Sequence, residues 1–212
     1  MTKEYNLSNF AIGLSGTHRT DKTKLAQELS DRLDIPFVRT STSKVFKEEG
    51  LDPSSVLSID NRIYIQTRLL DDAIEKWSQH PCFVTDRTPI DMAAYMLMDY
   101  CPFTTNDFQK QQIIDYISRC INETNRYFSS LVLVPLAIPI KDEELKGVID
   151  PIYMSKYEQL IRGFFVDPDV LPTCYTLDRA TINFEERMEA VMRTILKSFR
   201  KAENIREGNL VH

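Results

Sequence analysis

The residues best suited to chemistry lie in one short segment near the start of the sequence. Gly16 is followed by four residues and then by Asp21, Lys22 and Thr23, which matches the phosphate-binding loop Gly-x-x-x-x-Gly-Lys-Ser/Thr except at its second glycine. In such a loop backbone N–H groups bind phosphate oxygens, the lysine contacts the β- and γ-phosphates, and the hydroxyl binds Mg²⁺. We therefore predict that ATP and Mg²⁺ bind here, at Gly16, Thr17, His18, Arg19, Thr20, Asp21, Lys22 and Thr23.

Asp21 is the departure from this pattern. The position requires a permissive backbone, and aspartate tolerates the left-handed region better than most residues. The charge of Asp21 is the larger obstacle to nucleotide binding. A carboxylate about 4 Å from a phosphate charge costs roughly 4 kcal/mol at an effective dielectric near 20. Lys22, Arg19 and a metal ion can offset part of that cost, or the side chain can turn away. The loop is predicted, but the strength of nucleotide binding stays open.

A second reactive pair, Asp86 and Arg87, follows the apolar segment Cys82–Thr85. A carboxylate at the end of a strand beside the phosphate loop can hold Mg²⁺ or take a proton from an acceptor hydroxyl. An arginine next to it can grip a phosphate and stabilise the charge of the transferring group. The alternative is that Asp86 only caps the helix that follows. We predict catalytic roles for Lys22, Asp86 and Arg87, and metal binding by Thr23 and Asp86.

Two segments of the chain resemble a known group of enzymes. Asp86-Arg87-Thr88-Pro89-Ile90-Asp91, followed by Ala94-Tyr95, is similar to the Asp-Arg-Ser-Pro-apolar-Asp…Tyr segment of viral and bacterial nucleoside and nucleotide kinases of the phosphate-loop class. The first loop resembles phage-type deoxynucleoside monophosphate kinases, with an AAA-type kinase domain, which usually keep glycine at position 21. The resemblance covers about half of the chain. It implies phosphoryl transfer from ATP to a nucleoside, a deoxynucleoside monophosphate or a modified base.

The resemblance also implies where the acceptor binds. Gln66 lies on a helix that lines the acceptor pocket in similar enzymes, where its amide can read a base edge, and Tyr95 can stack on a base. Hydroxyls and a lysine in the segment Thr40–Lys44 can bind an acceptor phosphate. A surface position for Gln66, a core position for Tyr95 and a capping role for the Ser/Thr segment are the alternatives. The predicted substrate-binding residues are Ser43, Lys44, Gln66, Arg87, Asp91 and Tyr95.

A lid is predicted over residues 139–165, because kinases of this class place a mobile cover between the fourth strand and the next helix. Its cations are Lys141, Lys146 and Arg162. Lysine cannot make the planar bidentate contact of arginine, so a plain solvated acidic loop is the alternative.

An α/β fold is needed to bring these residues together. Short apolar segments predict strands at Phe10–Ser15, Phe37–Thr40, Cys82–Thr85, Leu131–Ala137 and Cys174–Leu177. Helical periodicity predicts helices at Lys22–Leu33, Ser58–Gln79, Pro89–Asp99, Thr105–Tyr127, Asp150–Phe165 and Asn183–Arg200, the fourth with Phe108, Ile113, Ile114, Ile117 and Ile121 on its apolar side. Helical crossovers imply parallel strands, and ligands bind at their carboxyl ends. We predict a single domain, residues 1–212: a P-loop NTPase three-layer sandwich with a five-stranded parallel sheet and a helical lid region.

The charge and composition of the chain limit the partners that the protein is expected to bind. With 26 basic and 31 acidic residues the net charge is −5, which disfavours a nucleic-acid coat. No apolar run is long enough for a membrane span, the polar Met1–Asn9 is unlike a signal peptide, and four scattered cysteines are typical of a reducing compartment. We expect a cytoplasmic protein (host cytoplasm if phage-encoded) whose partner is a small nucleotide or nucleoside, with homodimerisation left open.

Two other functions stay open at this point. Asp21 and the arginine-poor lid are consistent with a catalytically impaired kinase fold that acts as a binding or regulatory module. The phage resemblance is also consistent with a kinase of modified pyrimidines in phage DNA. A GTPase switch is disfavoured, because no convincing Asn-Lys-x-Asp motif is present.

Overall fold

The computed structural model describes residues 10–17, 20–52, 56–136 and 150–206. The elements, in chain order, are β1 (Ala11–Ser15), α1 (Lys22–Leu33), α2 (Thr42–Glu48), α3 (Ile59–Trp77), β2 (Phe83–Thr85), α4 (Pro89–Asp99), α5 (Asp107–Tyr127), β3 (Ser130–Leu133), α6 (Pro151–Phe165), β4 (Thr173–Thr176) and α7 (Phe184–Arg206).

The sheet contains four parallel strands in the order β2-β1-β3-β4 among the described residues. The prediction of five strands is therefore wrong, and Phe37–Thr40 is the segment that fails. Its contact with the sheet is one isolated parallel bridge, in which Val38 N–H donates to the Val84 carbonyl at 2.8 Å. The chain then leaves the sheet at Arg39 and turns into α2, so no further pairs can form.

Helices cover both faces of the sheet, as β3 and the residue after it show. Leu131 and Leu133 pack in a cluster with residues of α3, α4, α5 and α6, whereas Val132 and Val134 pack with residues of α1 and α7. This alternation is expected for a parallel strand buried on both faces. The predicted three-layer arrangement is confirmed.

All the predicted helices are present, and the largest difference in their bounds is at α7, which ends at Arg206 and not at Arg200. The sequence analysis missed α2, which has seven residues and is capped by the Ser41 hydroxyl. Its side chains Val45 and Phe46 form a separate small apolar cluster with Ile65 and Leu69 of α3. A helix of two turns is too short to show a clear periodicity, so the Ser/Thr-rich segment looked like a loop.

The apolar side of α5 also differs from the prediction. Phe108 and Ile114 are 73% and 54% exposed, whereas Gln109 is buried. Gln109 closes a capping box with Asn106 and donates a 2.8 Å hydrogen bond to Asp60 of α3. These polar contacts turn the first turn of α5 so that Phe108 points away from the core. None of the described helices combines the length and apolarity that a membrane span requires.

Candidate active site

The carboxyl ends of β1 and β2 open onto a cavity of about 410 Å³. This volume is within the usual range of small-molecule sites. Several of the predicted site residues, together with others, form its wall: Gly16, Lys22, Thr23, Arg39, Thr40, Ser41, Thr42, Ser43, Asp86, Arg87, Asp91, Tyr95 and Tyr157. The strand order explains the convergence, because β1 and β2 are neighbours and end at the same edge of the sheet.

The phosphate loop begins at Gly16, where only glycine fits. Its φ is +141°, and a Cβ there would lie 2.4 Å from the Val134 carbonyl oxygen. Thr17 and Thr20 are buried, and the Thr20 hydroxyl donates to the Thr17 carbonyl. The predicted ligands His18 and Arg19 lie outside the described residues.

Asp21 adopts the left-handed conformation that the second glycine of the motif usually supplies, with φ 60° and ψ 18°. It is the N-cap residue of α1, yet its side chain makes no capping hydrogen bond. Asp21 is not among the described residues that line the central cavity; it lines an adjoining groove, which shares Lys22, Thr23 and Arg39 with that cavity. The backbone requirement of this position is therefore met, with the carboxylate outside the cavity wall.

Lys22 is directed back into the loop. Its ammonium group donates hydrogen bonds to the carbonyls of Gly16 and Thr17, at 2.6 and 2.5 Å. Burial lowers the pKa of Lys22 to about 8; Asp91 and Asp86 oppose this shift, and the nearby Arg87 adds to it. A partly buried ammonium at this position provides a local positive charge for polyphosphate.

Thr23 and Asp86 are in direct contact, since the Thr23 hydroxyl donates to an Asp86 carboxylate oxygen at 2.5 Å. Hydroxyl and carboxylate oxygens are ligands that Mg²⁺ accepts, together with phosphate oxygens and water. Within the described ranges no three His, Cys, Asp or Glu side chains cluster as a metal cage, and Mg²⁺ rarely needs one. Asp86 does not cap α4, because Thr88 occupies that position; the capping alternative is wrong.

Asp91 is buried in the cavity wall, where it forms hydrogen bonds with the phosphate loop, the N-cap of α4 and α6. One of its oxygens accepts hydrogen bonds from Gly16 N–H at 3.0 Å and from the Tyr157 hydroxyl at 3.1 Å. The other accepts from the N–H and the hydroxyl of Thr88, at 3.0 and 2.8 Å. With both oxygens engaged by the protein, Asp91 fastens the phosphate loop to α4 and α6.

Arg87 lines the same cavity. Its guanidinium donates to the Thr42 hydroxyl at 2.5 Å and lies 5.4 Å from the centre of the Tyr95 ring. Tyr95 packs on Tyr157 with ring centroids 4.4 Å apart, and burial raises the pKa of Tyr95 to about 12. This wall therefore presents two arginines, Arg39 and Arg87, a neutral aromatic pair and the hydroxyls of residues 40–43.

The structure does not bring every predicted substrate residue to the cavity. Lys44 points to the surface and pairs with Glu48 at 3.6 Å. Gln66 is only 6% exposed, so the surface alternative is wrong, but it is not among the residues described as lining the cavity.

The lid prediction is only partly within the described residues, since Lys141 and Lys146 lie outside them. Arg162 is bound by Glu158 at 2.8 Å, and Arg179 donates to the same carboxylate at 2.6 Å. Burial alone would raise the pKa of Glu158, but hydrogen bonds from the two arginines hold it below its ordinary value.

Two cavity residues were missed by the sequence analysis. Arg39 was placed inside a predicted strand, and the polar residues that follow it were the available signal that the strand ends earlier. Tyr157 is one of several aromatic residues on α6, and periodicity alone does not separate it from core residues. Its role depends on contacts with Asp91 and Tyr95, which are 66 and 62 positions earlier in the chain.

Comparison with known proteins identifies the family to which the sequence belongs. A family model described as an AAA domain matches residues 11–187. The chain belongs to this AAA domain family. The matched range contains the phosphate loop, the Asp86–Arg87 pair and all the other cavity residues. No curated protein matches the sequence significantly.

Solved structures with a similar fold include a deoxyadenosine kinase and two thymidylate kinases. A dATP-bound deoxyadenosine kinase from M. mycoides is 14% identical, with a TM-score of 0.64 over 88% of this chain and 98% of that chain. Thymidylate kinase from Candida albicans is 17% identical, with a TM-score of 0.60 over 91% and 94%. Thymidylate kinase from Ehrlichia chaffeensis is 10% identical, with a TM-score of 0.54 over 90% and 99%. At these identities the likeness establishes the P-loop kinase fold.

Proposed function

We propose that this protein is a phosphate-loop kinase that transfers the γ-phosphate of Mg-ATP to a nucleoside or a deoxynucleoside monophosphate. The observation that carries the proposal is the Thr23–Asp86 contact at 2.5 Å, which joins the phosphate loop to the acidic strand end at one side of the cavity. Arg87, the residue after Asp86, lines the same cavity and donates a hydrogen bond to the Thr42 hydroxyl. A donor and an acceptor can therefore meet in this cavity.

The donor half consists of Gly16–Thr23. Loop N–H groups and the N-terminal end of α1 favour phosphate oxygens, and the Lys22 ammonium is held at the same loop. Thr23 and Asp86 fit Mg²⁺ by the chemistry of their oxygens. When bound, that ion neutralises negative charge on the donor phosphates.

The acceptor half consists of Arg87, Tyr95 and the hydroxyls before and within α2. Arg87 can hold an acceptor phosphate or stabilise the transferring group, and Tyr95 can stack on a base. Arg39 adds a second cation to this wall, although it was not among the predicted substrate residues. The names of the fold neighbours include a deoxyadenosine kinase and thymidylate kinases, so both acceptor classes belong in the test.

In the proposed reaction an acceptor oxygen attacks the γ-phosphorus, the bond from that phosphorus to the β,γ-bridging oxygen breaks, and ADP leaves. Lys22 and Arg87 stabilise charge on the transferring group. A nucleoside hydroxyl must lose a proton, which Asp86 can accept, whereas a monophosphate oxygen is already ionised near neutral pH.

The experiment incubates the purified chain with labelled ATP, Mg²⁺ and each of the nucleosides and the four deoxynucleoside monophosphates. We expect transfer of label to one acceptor class, and a loss of at least about 100-fold in kcat/KM for Lys22→Ala and for Asp86→Asn. The exposed ion pair Lys110–Asp107 supplies matched controls, Lys110→Ala and Asp107→Asn, which should keep full activity. Near-normal turnover in either site variant would overturn the assignment.

Asp21 favours a second candidate, a kinase fold that binds nucleotide without turnover. A carboxylate at the glycine position is the observation behind it. Calorimetric binding of ATP with no transfer to any acceptor in the panel would support this candidate, and product formation by the unaltered chain would exclude it.

A further inference from the structure

Arg187 is a buried cation that the proposed function does not use. It lies on α7, is 1% exposed, and is one of the largest fully buried side chains. Its guanidinium donates to the Thr20 carbonyl at 3.1 Å and to the Pro135 carbonyl at 2.7 Å. Its Nε has no hydrogen-bond partner among the described residues.

These two hydrogen bonds connect the phosphate loop to α7 and to the segment that follows β3. Thr20 is the residue before Asp21, and Pro135 follows the strand that runs beside β1. At its other end, the loop is held by the bond from Gly16 N–H to Asp91. The loop is thus fastened at its first residue from the α4 side and near its last residue from the α7 side.

The charge of Arg187 is not matched by an ion pair in the part of the chain that the structure describes. A buried guanidinium is costly unless an acid compensates it. Burial lowers the pKa of Arg187, and the carboxylate of Asp21 acts in the opposite direction. The hydrogen bond to the Thr20 carbonyl places the Arg187 guanidinium beside Asp21, the next residue in the chain, although Asp21 is exposed and the two side chains form no direct salt bridge.

We propose that Arg187 is a positioning residue for the phosphate loop: its charge, held at the Thr20 carbonyl, offsets the negative charge that Asp21 brings to the glycine position. A glycine in a phosphate loop carries no charge, so a loop with aspartate there needs a cation that a usual loop does not. Arg187 supplies it without being among the described residues that line the cavity. The proposal rests on nucleotide binding at this loop, as proposed above, but not on catalysis.

A double-mutant cycle on Mg-ATP affinity, measured by calorimetry, tests the pairing. Arg187→Gln leaves the Asp21 carboxylate unopposed, and we expect affinity to fall about tenfold or more. Asp21→Asn keeps a residue that tolerates the left-handed region and removes the charge. In that background we expect Arg187→Gln to cost less than about threefold, so that Asp21→Asn rescues the arginine variant.

Equal losses in both backgrounds would overturn the proposal, because a purely structural arginine gives no rescue. Arg187→Lys keeps the charge and replaces Arg187→Gln in the test if that variant does not fold. We expect Arg187→Lys to retain Mg-ATP affinity within about threefold. A large loss of affinity in folded Arg187→Lys would also overturn the proposal. Arg193→Gln removes an exposed arginine of the same helix and should change nothing in either background. Absence of any Mg-ATP binding by the unaltered chain would instead reject the proposed function, so the two failures are distinct.

Discussion

The Thr23 hydroxyl donates a 2.5 Å hydrogen bond to the Asp86 carboxylate, and this contact links the first turn of α1 to the end of β2. The two residues are 63 positions apart in the chain. They meet because β1 and β2 are adjacent parallel strands in register from Ala11 opposite Phe83 to Gly13 opposite Thr85. The sheet therefore sets the separation of the two oxygen ligands that Mg²⁺ would use.

Removing the Thr23 hydroxyl should weaken the response to Mg²⁺. Thr23→Val keeps the branched shape and deletes one oxygen, so the Mg²⁺ concentration for half-maximal activity should rise about 10- to 100-fold. A Mg²⁺ titration at fixed ATP measures it, with Thr23→Ser as the control that keeps the hydroxyl. An unchanged Mg²⁺ requirement in Thr23→Val would show that this oxygen is not a ligand.

Lys22 should give nucleotide affinity a defined pH dependence. Its pKa in the ligand-free fold is about 8, and bound polyphosphate favours the ammonium form, so binding takes up a proton above that pH. ATP affinity should therefore fall as pH rises from about 8 towards 10, by up to about tenfold per unit. Calorimetry across this range measures the slope, and Lys22→Arg should flatten it, because arginine stays charged. A steep slope that persists in Lys22→Arg would assign the proton to another group.

The same lowered pKa predicts the sign of a stability effect in the ligand-free protein. Between about pH 8 and the ordinary lysine value of 10.5, the unfolded chain binds more protons than the folded one. The contribution of Lys22 to the free energy of unfolding therefore rises with pH through this window. Comparison of urea unfolding for the unaltered chain and for Lys22→Met isolates that contribution, and a difference that is constant across the window would contradict it.

Asp91 should be more important for stability than its position in the cavity wall suggests. Asp91→Asn replaces an acceptor oxygen by an amide donor where four hydrogen bonds converge, and we expect a loss of about 2–4 kcal/mol in the free energy of unfolding. Urea denaturation measures it. Asp107→Asn, at a side chain that is 98% exposed, is the matched control and should change stability by less than about 0.5 kcal/mol. A loss of similar size in both variants would argue against the assigned network.

The sequence predicted the part of the site that depends on local chain order. Lys22, Thr23 and Asp86 each directly follow or closely follow an apolar strand, and the rule that parallel strands end at one edge brings them together. The bounds of α1 and α4 were also predictable, because Pro89 can begin a helix without losing a hydrogen bond and Lys22–Leu33 has a clear apolar stripe.

The remaining features depend on contacts between distant segments. Arg187 is 167 positions from Thr20, and nothing in the polarity of α7 distinguishes it from the solvated arginines nearby. Phe37–Thr40 has strand-like residues, yet its pairing with β2 stops after one bridge, where the chain turns to form the cavity wall at residues 40–43. The exposed Phe108 shows the same limit, since its orientation depends on a hydrogen bond from Gln109 to another helix.

The part of the cavity wall formed by residues 40–43 is supported by a small apolar cluster. α2 packs on α3 through Val45, Phe46, Ile65 and Leu69, a cluster distinct from the two large ones that flank the sheet. α3 also packs into one of the large clusters through Ile63, Leu70 and Trp77, so this small cluster connects the cavity wall at residues 40–43 to the rest of the domain. Under the proposed function, such an arrangement would allow the acceptor side of the cavity to change in evolution while the phosphate loop is kept.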